Sequence, residues 1–323
     1  MRTKATVSSA IILGSLTVGA LTASALGSAP AASASCASFF GVGNSADCTS
    51  SRSSIAIAIG TGAKAKAAGL FGVAFAAGTG ASADTNDSLT FATALGDNSL
   101  AIAHGHLSVA TQIGANGVAA TEGLSEAKGW GLNLALNVTP GAQQVGTQIQ
   151  AAGLGNLAVN LFGYGTAADQ LQVTANGIAN FAANLGGNSN EVNGESIGGF
   201  AVNVGGGGNS VTGAGPAGAA VNLGGSNNEL GAGGFGFATS ILGSGNSVVG
   251  AGFGLAASLL QKNATLVAEK GQININGLSI PPAASALQAK KPGNGKKSSP
   301  SSAGAAGGKK SAGGSGMGGS KRK

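Results

Sequence analysis

From Phe181 onward the apolar and polar positions recur at an interval of 19 residues. One phase holds Asn184-Leu185-Gly186, Asn203-Val204-Gly205, Asn222-Leu223-Gly224 and Ile241-Leu242-Gly243; a second holds Asn190, Asn209, Asn228 and Ser247; a third holds Val192, Val211, Leu230 and Val249. A constant period carrying one apolar set, one Asn set and one Gly set predicts a chain wound into stacked, nearly equivalent coils. The first half of the chain alternates at period two in short bursts, such as Ile55-Ala56-Ile57-Ala58-Ile59, Val73-Ala74-Phe75-Ala76, Leu89-Thr90-Phe91-Ala92 and Leu107-Ser108-Val109-Ala110. Turn residues such as Gly60-Thr61-Gly62 and Gly96-Asp97-Asn98 close these bursts, so they predict short strands. The bursts lie roughly 11 to 18 residues apart, a less even spacing than the later interval of 19.

The expected fold is therefore all-β, a parallel β-solenoid (β-roll or β-helix) of about 19-residue coils, roughly twelve in number. Alanine at inward positions implies a narrow coil. Val204 and Leu223, with Phe181 and Phe200 in the same phase as one another, are expected in the core, and Asn184, Asn203 and Asn222 are expected to stack as an amide ladder. One Ala/Gly-rich coil buries too little apolar area to offset the entropy of ordering it, so stability must come from stacking. A disordered glycine-rich chain, suggested by 60 glycines in 323 residues, would not hold Leu or Val in phase over four repeats.

Composition and charge divide the rest of the chain. Arg2 and Lys4 precede an apolar run and Ala32-Ser33-Ala34 supplies a small-residue cleavage pattern, so residues 1–34 are expected to be a signal peptide directing secretion or display at the cell surface. Residues 35–52 form a cap carrying Cys36 and Cys48, the two cysteines of the chain, which are expected to pair as a disulfide in an oxidising compartment. The solenoid is assigned to residues 53–280. From 281 to 323 a Lys/Gly/Ser-rich composition predicts a disordered tail. Lys290, Lys291, Lys296, Lys297, Lys309, Lys310, Lys321, Arg322 and Lys323 bring nine positive charges to it with no acid, whereas the region between signal and tail holds six bases against eleven acids. These nine residues are the candidate polyanion-binding site, acting by counterion release without sequence-specific recognition of nucleic acid.

Ser54-Ile55-Ala56-Ile57-Ala58-Ile59-Gly60-Thr61-Gly62-Ala63-Lys64-Ala65 resembles the head repeats of trimeric autotransporter adhesins, and Asp97-Asn98-Ser99-Leu100-Ala101-Ile102-Ala103 echoes the same unit. The resemblance covers about residues 53–120 and implies a parallel β-roll in a homo-oligomeric adhesin. The whole layout of signal, Cys pair, Ala/Gly/Asn repeats and basic tail is similar to secreted repeat proteins of mycobacteria and their relatives.

No pattern of catalytic or cofactor chemistry stands out. His104 and His106 are the two histidines, spaced to share one face of a strand, but Asp97 is their one neighbouring carboxylate in sequence, and they are read as coil-surface residues rather than metal ligands. Gly231-Ala232-Gly233-Gly234-Phe235-Gly236 matches G-x-G-x-x-G without the strand–helix context that a dinucleotide needs. Gly205-Gly206-Gly207-Gly208-Asn209-Ser210 lacks the Asp of calcium-binding repeats. Glu191, Glu195, Glu229 and Glu269 are read as solubilising residues at or near turns, and Trp130 and Tyr164 make no aromatic stripe. No cofactor or metal is expected, no segment after the signal is long and apolar enough to span a bilayer, and the chain reads as a structural or adhesin-like repeat protein. The alternative, a polysaccharide-acting β-helix enzyme, would use clustered Asp, Arg and Lys, and Arg52 is the one Arg of the body.

Overall fold

A computed structural model describes residues 35–122, 131–139, 147–166 and 169–281. All of them fall in one of the two compact units into which the chain divides after Ala283. Every regular element among them is a β-strand. Each coil lays one short strand in a fifteen-stranded sheet and the next in a twelve-stranded sheet, and strands of successive coils within each sheet run parallel and in register. The result is a two-sheet β-solenoid with coils of about 19 residues, as expected.

The step between coils varies more than the sequence interval suggests. In the larger sheet Ile55, Val73, Phe91 and Val109 follow one another every 18 residues, so the stretch from Ile55 to Val109 is regular rather than uneven. Wider coils then place Leu134, Leu157 and Phe181. Steps of 19 carry Phe181 to Phe200 and Ala219, and the step returns to 18 at Phe237, Leu255 and Ile273. The fourth repeat of the expected alignment is therefore displaced by one residue. Asn222 is followed in the stack by Ser240, Leu230 by Val248, and Asn228 by Asn246, whose backbone N–H donates to Asn228 Oδ1 (3.1 Å). A one-residue slip exchanges the faces of a strand. Val248 accordingly lies buried while Val249 is 37% exposed.

Two kinds of column fill the interior. In the larger sheet the first inward position is alanine in every coil from Ala56 to Ala256, fully or almost fully buried. The second begins as Ala58, Ala76 and Ala94, becomes Gln112, and then runs Asn137, Asn160, Asn184, Asn203 and Asn222. In the smaller sheet Ala65, Ala83, Ala101 and Ala119 give way to Ile149, Val173, Val192, Val211, Leu230 and Val248. The later coils are pinched where Gly194 faces the other sheet, since a β-carbon there would stand 2.7 Å from the Phe181 carbonyl oxygen.

The expected ladder forms, and it is fully buried. Asn137 donates to Gln112 Oε1 (2.6 Å), Asn160 to Asn137 Oδ1 (2.8 Å), Asn184 to Asn160 (2.8 Å), Asn203 to Asn184 (2.8 Å) and Asn222 to Asn203 (2.7 Å), each through Nδ2. A corner column of Asn190, Asn209, Asn228 and Asn246 bonds side chain to backbone along the axis, and Asn133, Asn156 and Asn180 do the same at the opposite corner. Buried amides cost little when both ends are satisfied in this way.

Antiparallel pieces close both ends of the larger sheet. Ser35–Phe39 pairs antiparallel with Ile55–Ile59, and Leu278–Ile280 pairs antiparallel with Ile273–Ile275.

Candidate functional site

Because Asn and Ala point inward, the other set of each strand in the larger sheet must point out. That set is uncharged and almost wholly apolar. The three outward columns from Ile55 to Ile275 hold Ile, Val, Leu, Phe and Ala, with Thr93, Thr111 and Thr239 as their polar members, and they contain no charged residue. The expectation that Val204, Leu223, Phe181 and Phe200 are core residues is therefore corrected. Leu223 is 38% exposed and Phe200 40%, Val204 is half-buried, and Phe181 stacks on Phe200 on the outer surface with ring centroids 5.1 Å apart. The interior has no room for them: the Ile, Val and Leu column of the smaller sheet fills it from one side, and the larger sheet meets that column with Ala and the amide ladder.

Both borders of this face add bulky apolar groups in backbone conformations that L-residues seldom adopt. Phe71, Leu89, Leu107, Phe235 and Phe253 lie along the corner that enters the larger sheet, with φ of 58°, 58°, 60°, 62° and 66°. Phe162, Leu242 and Leu260 lie along the corner that leaves it, at 63°, 52° and 58°. Gly198 and Ala217 occupy the first of these corners in intervening coils, and Gly186, Gly205 and Gly224 the second. Left-handed Phe or Leu costs on the order of 1 kcal/mol where glycine would cost nothing, so these side chains are not there for the sake of the turn. They project outward: Phe253 is 66% exposed and Leu260 74%, and Phe235 stacks on Phe253 at 4.9 Å.

The smaller sheet presents a different surface. Its outward positions include Lys64, Lys66, Asp84, Gln148, Gln150, Gln172, Asn176, Glu191, Asn193, Glu195 and Glu229. Lys66 Nζ lies 3.7 Å from Asp84, and Asn193 donates to Glu191 Oε1 (2.9 Å). Glu191 and Glu229 open their strands beside the corners, near the turns as expected, and Glu195 stands within the strand Glu191–Ile197. Glu269 does lie in a turn.

Cys36 and Cys48 form the expected disulfide, with Cα atoms 5.6 Å apart. It ties the antiparallel strand Ser35–Phe39 of the larger sheet to Cys48–Ser50 of the smaller, and both cysteines are buried. His104 and His106 lie in the corner after Leu100–Ala103, where the Gly105 N–H donates to Asp87 Oδ2 (2.7 Å). Asp97 sits in the corner after the strand Phe91–Leu95, at the other edge of the coil, and accepts from the Thr79 N–H (2.7 Å). No group of three or more His, Cys, Asp or Glu among the described residues could hold a metal ion. The G-x-G-x-x-G match spans the strand Glu229–Gly233 and a corner and introduces no helix. Residues 1–34, Trp130 and the basic cluster Lys290, Lys291, Lys296, Lys297, Lys309, Lys310, Lys321, Arg322 and Lys323 lie outside the described residues.

Comparison with protein-family models, curated proteins and solved structures finds no match to this chain.

Proposed function

We propose that this protein is an exported structural repeat protein of the cell surface, adhesin-like in its mode of action, whose working surface is the apolar outer face of the larger sheet. One observation carries this reading: that face runs the length of the solenoid without a charge, while the opposite sheet mixes charged and polar side chains with apolar ones such as Leu100, Val249 and Val267. Twelve strands about 4.8 Å apart and five residues of about 3.3 Å each make a face of about 950 Å². Soluble monomers seldom expose a contiguous apolar patch above roughly 300–600 Å², and larger ones mark interaction sites. The basic tail supplies a second, separate means of attachment, to anionic polymers of the envelope or of a host, and the alternative of a polysaccharide-acting enzyme draws no support from the body's scattered charges.

Fractionation of producing cells tests the reading. The wild-type chain is expected outside the cytoplasm and largely with the envelope. Truncation of residues 290–323 and the pair Phe200→Glu with Leu223→Glu are each expected to shift it towards the culture medium. Retention of the wild type in the cytoplasm, or identical partition of all three forms, would refute the proposal.

A further inference from the structure

We infer that the apolar face is covered by the same face of a second copy of this chain, so that two solenoids pack sheet against sheet about a two-fold axis. The inference rests on the reading of that face as an interaction surface and names its occupant.

Three observations favour a second copy over other partners. The first is area. A face of about 950 Å² on each copy buries about 1,900 Å² in a pair, which falls within the range of specific, stable complexes. The second is pitch. Outward side chains stand in rows spaced by the strand separation, and the rows are uninterrupted from Ile55 to Ile275. A second copy has the same pitch, so its rows can settle between these along the whole length, as in face-to-face sheet packing about 10 Å apart. The third is charge. A surface helix or sheet that settles on an anionic membrane carries Lys or Arg around its apolar area. The described corners bordering this face carry Arg52, Lys262 and Lys270 among the acids Asp87, Asp97, Asp169 and Glu269, which is no cationic belt. A single flat face used by both partners gives an isologous contact that closes at two copies.

The mass of the full exported chain in solution tests this, read by analytical ultracentrifugation at micromolar concentration. Two copies are expected for the wild type. The variant Phe200→Glu/Leu223→Glu should sediment as one copy with an unchanged β-type circular dichroism spectrum, while Thr212→Glu on the opposite sheet should remain a pair. A second measurement, flotation with phosphatidylcholine vesicles, separates the remaining outcomes. A single-copy wild type that floats with vesicles in a Phe200/Leu223-dependent way overturns the pairing but leaves the face as an interaction surface. A single-copy wild type that ignores vesicles overturns both readings, and three copies, or a pair insensitive to the Phe200/Leu223 variant, overturns the sheet-to-sheet pairing.

Discussion

Asn203 shows what one buried amide does here. Its Nδ2 donates to Asn184 Oδ1 and to the Gly205 carbonyl, its Oδ1 accepts from Asn222, and the side chain is fully buried. Asn203→Ala leaves a buried donor on Asn222 without its acceptor, an effect of about 2–3 kcal/mol, because the desolvation of the orphaned group is no longer offset. The adjacent Leu223 and Val204 face outward, so Leu223→Asp is expected to lower the stability of an isolated coil stack by less than about 1 kcal/mol. Urea denaturation of dilute protein checks the contrast. If Asn203→Ala is silent or Leu223→Asp is the more damaging, the inside and outside of the larger sheet have been exchanged.

At the scale of the strand and the coil, the sheet-to-sheet contact depends on which residue a strand turns inward. Val211 is fully buried in the column between Val192 and Leu230, whereas Ser226 lies in a corner. Val211→Asp should cost about 3–5 kcal/mol or prevent folding, since a carboxylate there has neither water nor a partner; Ser226→Asp should stay within about 0.5 kcal/mol of the wild type. Thermal melts of the two variants decide the matter. The disulfide closes a loop of 12 residues, and its loss through Cys36→Ser/Cys48→Ser should lower stability by about 3 kcal/mol, mainly by freeing the unfolded chain at the N-terminal cap. A denaturant midpoint that does not change on reduction would show that the cap is held by strand pairing alone. The coil, its period, the amide ladder and the disulfide were all legible in the sequence, because recurring Asn at a constant interval and a lone Cys pair admit few readings. Which set faces inward was not. In Phe200-Ala201-Val202-Asn203-Val204 both alternate sets contain apolar residues, and ranking them by size puts Phe and Val in the core. The structure reverses that ranking because the smaller sheet already fills the coil with Val and Leu, leaving room on the inner side of the larger sheet for Ala, Ser and laddered amides alone. The apolar outer face is hidden in the sequence for the same reason: ranking by size sends its residues to the interior. The 18-residue steps were obscured where a one-residue shift still aligned similar letters, as with Val248 and Val249.

Taken whole, the chain carries an uncharged apolar face and a basic tail sequence, and the two lead to opposite responses to salt. Sulfate strengthens apolar association, so self-association through the larger sheet should tighten as ammonium sulfate is added, while binding of the nine tail charges to heparin should weaken steeply with sodium chloride. Removal of residues 290–323 should abolish the heparin binding and leave the sedimentation behaviour of the body unchanged; equal heparin affinity after truncation would move that interaction onto the coils. The ladder has one further property. Every donor along it belongs to the later coil and every acceptor to the earlier one, from Gln112 to Asn222. A chain that emerges N-terminus first therefore completes a layer whose exposed amide oxygens are ready before the next layer arrives. The stack can lengthen in the order of its synthesis, each layer serving as the template on which the following one crystallises.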